Sequence, residues 1–146
     1  MLRWTDVPRG YSESDAREWL RLIETERERA RGVYLAVVEA NGGALLGTCD
    51  VRMLGDGVGE LGFFLGRHAR GRGAMTRAVR LISRWSVEQL GVARVQILFH
   101  PDNVASHRVA ERAGFTREGL LRGYRLKGGR REDRVVFSLL AGELDP

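Results

Sequence analysis

Cysteine is almost absent from this 146-residue chain. The single one, Cys49, excludes an internal disulfide and any multi-cysteine zinc site, and its place in the apolar run Leu45 to Val51 reads as a small buried hydrophobe. Lysine is as scarce: Lys127 stands alone among 24 basic residues, so arginine carries almost all the positive charge behind the net +5. Those arginines are scattered, with Arg17, Arg21, Arg27, Arg29 and Arg31 interleaved with Glu18, Glu24, Glu26 and Glu28 on a solvated helix face. The one-sided basic stripe with exposed aromatics that a nucleic-acid surface needs is missing, which argues against such a partner. No apolar run approaches the roughly 20 residues of a membrane span, and Met1 to Asp6 lacks the apolar core of a secretion signal, so the chain reads as cytoplasmic. Neither a cysteine nor a second histidine stands at i+4 spacing from His68, His100 or His107, so no metal is expected.

What is present fits one domain, residues 1–146, with a core large enough to need no staples. Ser12 and Asp15 form a capping box ahead of Ala16, Trp19, Leu20 and Ile23, predicting an amphipathic helix to about Arg31. Three antiparallel strands follow, Tyr34 to Ala40, Ala44 to Leu54 and Val58 to Leu65, separated by Asn41-Gly42-Gly43 and Gly55-Asp56-Gly57. A second helix runs from Ala74 to Leu90, with Met75, Ala78, Val79, Ile82 and Trp85 inward and Arg77, Arg80 and Arg84 outward. Val92 to Phe99 is nearly continuous in apolar residues and reads as a strand covered on both faces. A short helix capped at Asp102 or Asn103 and a final hairpin, Leu120 to Leu126 with Arg134 to Leu140, complete the order. The fold class is α/β (α+β): a mixed, largely antiparallel sheet with a central βαβ unit.

Arg70-Gly71-Arg72-Gly73-Ala74 joins the strand and the helix of that unit. Glycines let main-chain N–H groups converge on a ligand without Cβ obstruction, and the helix start adds unpaired donors and a positive dipole end, a setting for pyrophosphate. No lysine follows in the Walker pattern, and Thr76 occupies the place where a dinucleotide fingerprint needs a third glycine or alanine. Both common nucleotide loops are therefore excluded.

Taken with Gly59-Glu60-Leu61-Gly62-Phe63-Phe64-Leu65, Asn103-Val104-Ala105-Ser106, Ala113-Gly114-Phe115 and Glu118-Gly119, the loop makes residues 7 to 141 resemble the GNAT family of N-acetyltransferases. The branch resembled is that of the ribosomal-protein N-terminal acetyltransferases (RimJ/RimL type), which Thr5 to Tyr11 ahead of Asp15-Ala16 and Trp19-Leu20 also matches. The resemblance implies acetyl-CoA as cosubstrate, with His68, Arg70, Gly71, Arg72, Gly73 and Ala74 around its pyrophosphate. It implies that backbone groups of Phe63, Phe64 and Leu65 pair with pantetheine and polarise the thioester carbonyl between splayed strands. Asn103 would hold the pantetheine arm, or act only as a helix cap.

Transfer to an amine needs a neutral nucleophile and a proton for the departing thiolate. Glu60 is the candidate base or amine-binding group, against the plainer reading of an exposed strand carboxylate. Many family members place a tyrosine near the thiolate where Ala110 stands; the branch resembled has a serine instead, matched by Ser106, which is otherwise a surface serine. His68 could still contact phosphate, His100 is a secondary base candidate, and His107 is expected at the surface. Part of the branch carries an acidic residue where Arg125 stands. The family's usual first strand and helix have no counterpart before Thr5, which implies an open acceptor side or a homodimer covering the sheet edge. The expected activity is acetyl transfer to a primary amine, a peptide or protein N-terminus ahead of a small amine. The alternative is a CoA-binding regulatory or structural domain without turnover.

Overall fold

The computed structural model describes residues 4, 7 and 10–144. Residues 5, 6, 8 and 9 of the N-terminal match lie outside them. Helix α1 (Glu13–Glu28) starts with the expected capping box: Asp15 N–H donates to Ser12 Oγ, and Ser12 N–H donates to Asp15 Oδ2. It stops three residues short of the expected Arg31, and Ala30 takes a left-handed turn (φ +54°) into β1 (Gly32–Val38). None of its side chains is fully buried, and Trp19 meets the sheet only edge-on, against Tyr34 at 6.1 Å.

Strands β2 (Leu45–Gly55) and β3 (Val58–Leu65) continue the antiparallel meander. Helix α2 (Ala74–Leu90) then crosses to β4 (Arg94–Phe99), followed by α3 (Val104–Arg112), β5 (Thr116–Lys127) and β6 (Arg130–Leu140). The sheet order is β1-β2-β3-β4-β6-β5, mixed and mostly antiparallel as expected. Its parallel pair, β3 with β4, has three rungs: Val58 with Arg94, Gly59 with Val95, and Glu60 with Gln96. Beyond Glu60 the two strands part.

The two faces of the sheet differ sharply. One carries Val51, Leu61, Val95, Ile97, Phe137 and Leu139 against Met75, Val79 and Ile82 of α2 and Ala110 of α3, and this is the core. Register and the two-residue alternation of strands place Asp50, Arg52, Glu60, Gln96, Glu132 and Arg134 together on the other. β4 is therefore covered on one face only: Val95, Ile97 and Phe99 are buried while Gln96 and Leu98 are half-buried. The apolar run misled because Leu98 sits on the polar face. Trp85 also departs from expectation, lying 38% exposed at the flank of α2, beside a buried stripe that runs through Ile82, Ser83 and Ser86.

Candidate active site

A single 3-10 turn, Arg67–Ala69, pinned by the buried Ala69, leads from β3 into the glycine loop. Gly71 (φ +78°) and Gly73 (φ +71°) both adopt the left-handed conformation that favours glycine. Gly73 is the N-cap of α2 and offers no side chain to the first-turn amides, which stay open at the mouth of a cleft of about 580 Å³. Arg70, Gly71, Gly73, Ala74, Arg108 and Arg112 line that end. Open amides, a helix dipole and three guanidinium groups from two elements suit a pyrophosphate. The side chains of His68 and Arg72 turn elsewhere. The His68 ring reaches the Leu45 carbonyl (Nε2 to O, 3.2 Å), and Arg72 pairs with Glu39 (2.9 Å), so neither side chain lines the cleft. They staple the loop to the β1–β2 end of the sheet, leaving its backbone to face the ligand.

The cleft continues along the gap where β3 and β4 part. Gly66 N–H pairs with Leu46 C=O on the β2 side, so in a trans peptide the Leu65 C=O points into the gap, where the Arg70 guanidinium donates to it (3.3 Å). By alternation the N–H and C=O groups of Phe63 and Leu61 face the same way, while those of Phe64 face β2. Phe64 thus contributes its side chain to the cleft and Phe63 and Leu65 their backbone. This is a vacant β-edge between two strands, the shape an extended amide-bearing chain can fill.

Helix α3 begins at the far wall. Asn103 is its N-cap, accepting from Ser106 N–H at 3.4 Å, and both residues line the cleft. Asn103 therefore both caps the helix and borders the cleft. Ser106 sits in the first turn, half-buried, with its hydroxyl unengaged among the described residues. His107 is not at the surface: its ring lies between Phe99 (5.8 Å) and Phe137 (5.4 Å) and bonds the His100 carbonyl (3.1 Å), because it follows α3 onto the sheet. Ala110 is fully buried in the core.

At the opposite end the polar face takes over. Glu60 lines the cleft with its carboxylate held by Arg52 Nη2 (2.9 Å) and Gln96 Nε2 (3.3 Å). Behind it stands Asp50, which the sequence reading missed, within 3.4 Å of Arg52 Nε and packed so close to Gly62 that a Cβ there would lie 2.9 Å from Asp50 Oδ1. Burial pushes the Asp50 carboxyl above its ordinary range; Arg52 pulls it back, and the charge of Glu60 raises it again. The available signal was the alternation of Asp50 and Arg52 with Cys49, Val51 and Met53 along β2. Burial pushes the Cys49 thiol up to about 12, consistent with an inert core residue. His100 stacks against Trp4 (5.3 Å), and its Nδ1 accepts the Asp102 N–H (3.1 Å). Glu132 closes the rim, its carboxyl held below its ordinary range by the Arg134 hydrogen bond.

No cluster of metal ligands occurs among the described residues, and no helix there is long and apolar enough to cross a membrane. Among known proteins, the uncharacterized N-acetyltransferase p20 of Bacillus licheniformis is 29% identical over 132 residues, 89% of this chain and 74% of that protein. The structure of RimL, a ribosomal L7/L12 α-N-protein acetyltransferase in complex with coenzyme A, superposes with a TM-score of 0.82 at 20% identity, covering 94% of this chain and 78% of that one. The ribosomal-protein-S5-alanine acetyltransferase of Vibrio fischeri gives a TM-score of 0.79 at 22% identity, covering 97% and 81%. At such identities the likeness shows the fold. Residues 1–116 match the profile of the acetyltransferase (GNAT) domain, and with the splayed strands and glycine cradle this chain belongs to the GNAT family of N-acetyltransferases.

Proposed function

We propose that the chain transfers the acetyl group of acetyl-CoA to the N-terminal amine of a peptide or protein, in the cytoplasm. The observation that carries the reading is the cleft itself: an anion cradle, then an unpaired β-edge, then a polar mouth, in one continuous groove across the sheet. RimL, whose fold this chain shares, bears a name that specifies α-N-protein acetylation and was solved with coenzyme A, which supports both the cosubstrate and the acceptor.

Acetyl-CoA, when bound, supplies an activated thioester carbonyl. The chain would hold its phosphates on the loop amides and on Arg70, Arg108 and Arg112, and its amide-bearing arm on the free edge of Phe63 and Leu65. A backbone N–H from that edge can also steady negative charge developing on the carbonyl oxygen. Overall the acceptor nitrogen gains a bond to the carbonyl carbon, the carbon–sulfur bond breaks, the nitrogen loses a proton and the sulfur gains one. Glu60 takes the first proton, directly or through water, or orients the amine. Ser106, in the first turn of α3, donates to the sulfur. An α-amine titrates near 8, so modest assistance suffices. A second copy of the chain over the outer edge of β1, which has no partner strand among the described residues, belongs to the same proposal. Light scattering that gives a monomer would remove it.

Calorimetry with acetyl-CoA, followed by thiol release over an amine panel, tests the function. Binding with turnover on peptide N-termini supports it. Binding without turnover points to a CoA-dependent regulator, turnover confined to small amines to a small-molecule acetyltransferase, and no binding overturns all three.

A further inference from the structure

Two arginine–carboxylate pairs on the polar face of the sheet are built differently. Arg94 grips Glu118 with both terminal nitrogens, 2.7 Å each, and with a further hydrogen bond from Ser138 that carboxyl is pulled down to about 2. Arg52 meets Glu60 through one nitrogen, Nη2 at 2.9 Å, although the two residues stand directly in register between β2 and β3. A guanidinium fork favours the two-point grip. What divides Arg52 is Asp50, two residues back on the same face of β2, whose Oδ2 lies 3.4 Å from Arg52 Nε. That Nε is buried and makes no hydrogen bond among the described residues, which leaves it to the charge of Asp50.

The neighbouring strands make room for Asp50. Its register partner on β3 is Gly62, where a Cβ would lie 2.9 Å from Asp50 Oδ1, and its partner on β1 is Tyr34. Burial raises the Asp50 carboxyl, so holding a carboxylate there has a cost, and the chemistry of the cleft gives that cost a use. Each Glu60 oxygen accepts one bond, Oε1 from Arg52 and Oε2 from Gln96, and retains a lone pair. A two-point grip by Arg52 would occupy one more of these and bring Glu60 toward the state of Glu118. Resting on the acetyl-transfer reading above, we propose that Asp50 is a positioning residue for Glu60: it keeps the Arg52 guanidinium to a one-nitrogen contact and so leaves the Glu60 carboxylate open to the acceptor amine or its proton. Glu60 and Arg52 line the cleft, and Asp50 acts through Arg52 from behind them.

The test uses the whole chain, saturating acetyl-CoA and a peptide amine at pH 7, with kcat/KM for the peptide from thiol release. Asp50→Asn keeps the size of the side chain and removes its charge. Arg52 is then free to close on Glu60, and kcat/KM is expected to fall about tenfold while acetyl-CoA affinity by calorimetry holds. Adding Arg52→Gln removes the guanidinium that closes and should return the rate to within about threefold of the unsubstituted chain. A residue that only supports the fold would show the opposite, two losses that add. An Asp50→Asn chain as fast as the unsubstituted one, or a double variant no faster than Asp50→Asn alone, overturns the proposal and leaves acetyl transfer standing. Carbon-13 NMR of the side-chain carboxyls adds a readout independent of turnover, in variants that keep Asp50. Arg52→Gln should raise the Asp50 midpoint and Glu60→Gln should lower it, as loss of an opposite and of a like charge dictates. A midpoint that neither substitution moves overturns the shared guanidinium. Those shifts in a chain that turns over no amine would overturn the acetyl-transfer reading, and the role of Asp50 with it.

Discussion

The glycine-loop end and the polar end of the cleft are built from different materials. The first is framed by backbone, two left-handed glycines, the open first turn of α2 and the free edge of β3, all within residues 61–76, with the guanidinium groups of Arg70, Arg108 and Arg112 beside it. The second is side chains, Arg52, Glu60, Gln96, Glu132 and Arg134, brought together from four strands. A backbone site tolerates change in its neighbours as long as the glycines remain; a side-chain site is rewritten by any one substitution.

The contrast breaks most visibly at Gly71. Gly71→Glu forces a side chain into a left-handed φ and places a carboxylate in an anion cradle, and acetyl-CoA affinity by calorimetry is expected to fall at least about 100-fold. At the other end, Glu60→Gln should lower kcat/KM for a peptide amine about 100-fold at pH 7 while acetyl-CoA affinity holds. Because the α-amine titrates near 8, the deficit should narrow by pH 9 if Glu60 accepts its proton. An equal deficit at both pH values would leave Glu60 with an orienting role only. Ser106→Ala, on the border between the two ends, should cost about tenfold in kcat and little in affinity. A wild-type rate in that variant would end the donor assignment.

The smallest effect lies outside the cleft. Glu118, held by both terminal guanidinium nitrogens of Arg94 (2.7 Å each) and by Ser138, has its carboxyl pulled down to about 2 by those hydrogen bonds, Arg94's foremost. A depressed folded-state value stabilises the fold above the unfolded value of 4.5, and that contribution is lost as pH falls toward 2. Arg94→Gln should lower Tm by about 3 °C at neutral pH, allowing for the partial exposure of the pair, and the difference should close in acid. A constant difference across pH would assign the effect to packing.

The two ends were also unequally legible in the sequence. Gly71 and Gly73 stand next to the helix they introduce, and the bounds of β3 and α2 could be read residue for residue, because turn chemistry and periodicity are local. Asp50 was legible only in part: alternation along β2 sets it off the core face beside Arg52, but its closeness to Gly62 and its coupling to Glu60 cross a strand pair and exist only after registry is set. Val92 to Phe99 looked buried on both faces because hydropathy does not say which face Leu98 occupies. His68 and Arg72 carried the right chemistry at the right place in the chain, but their side chains follow the 3-10 turn and the β1 end away from the cleft.

The three rungs between β3 and β4 have a consequence for how the molecule moves and holds together. On one side lies the β1-β2-β3 meander, and on the other β4 with the β5–β6 hairpin, two units each wired largely by near neighbours in sequence. The joint between them is short in hydrogen bonds and relies on the core beneath. A ligand laid along the free edge would act as a splint across that joint, so the amides of Phe63 and Leu65 should exchange slowly with it and quickly without it. The breathing of the sheet would then be set by occupancy of its own gap.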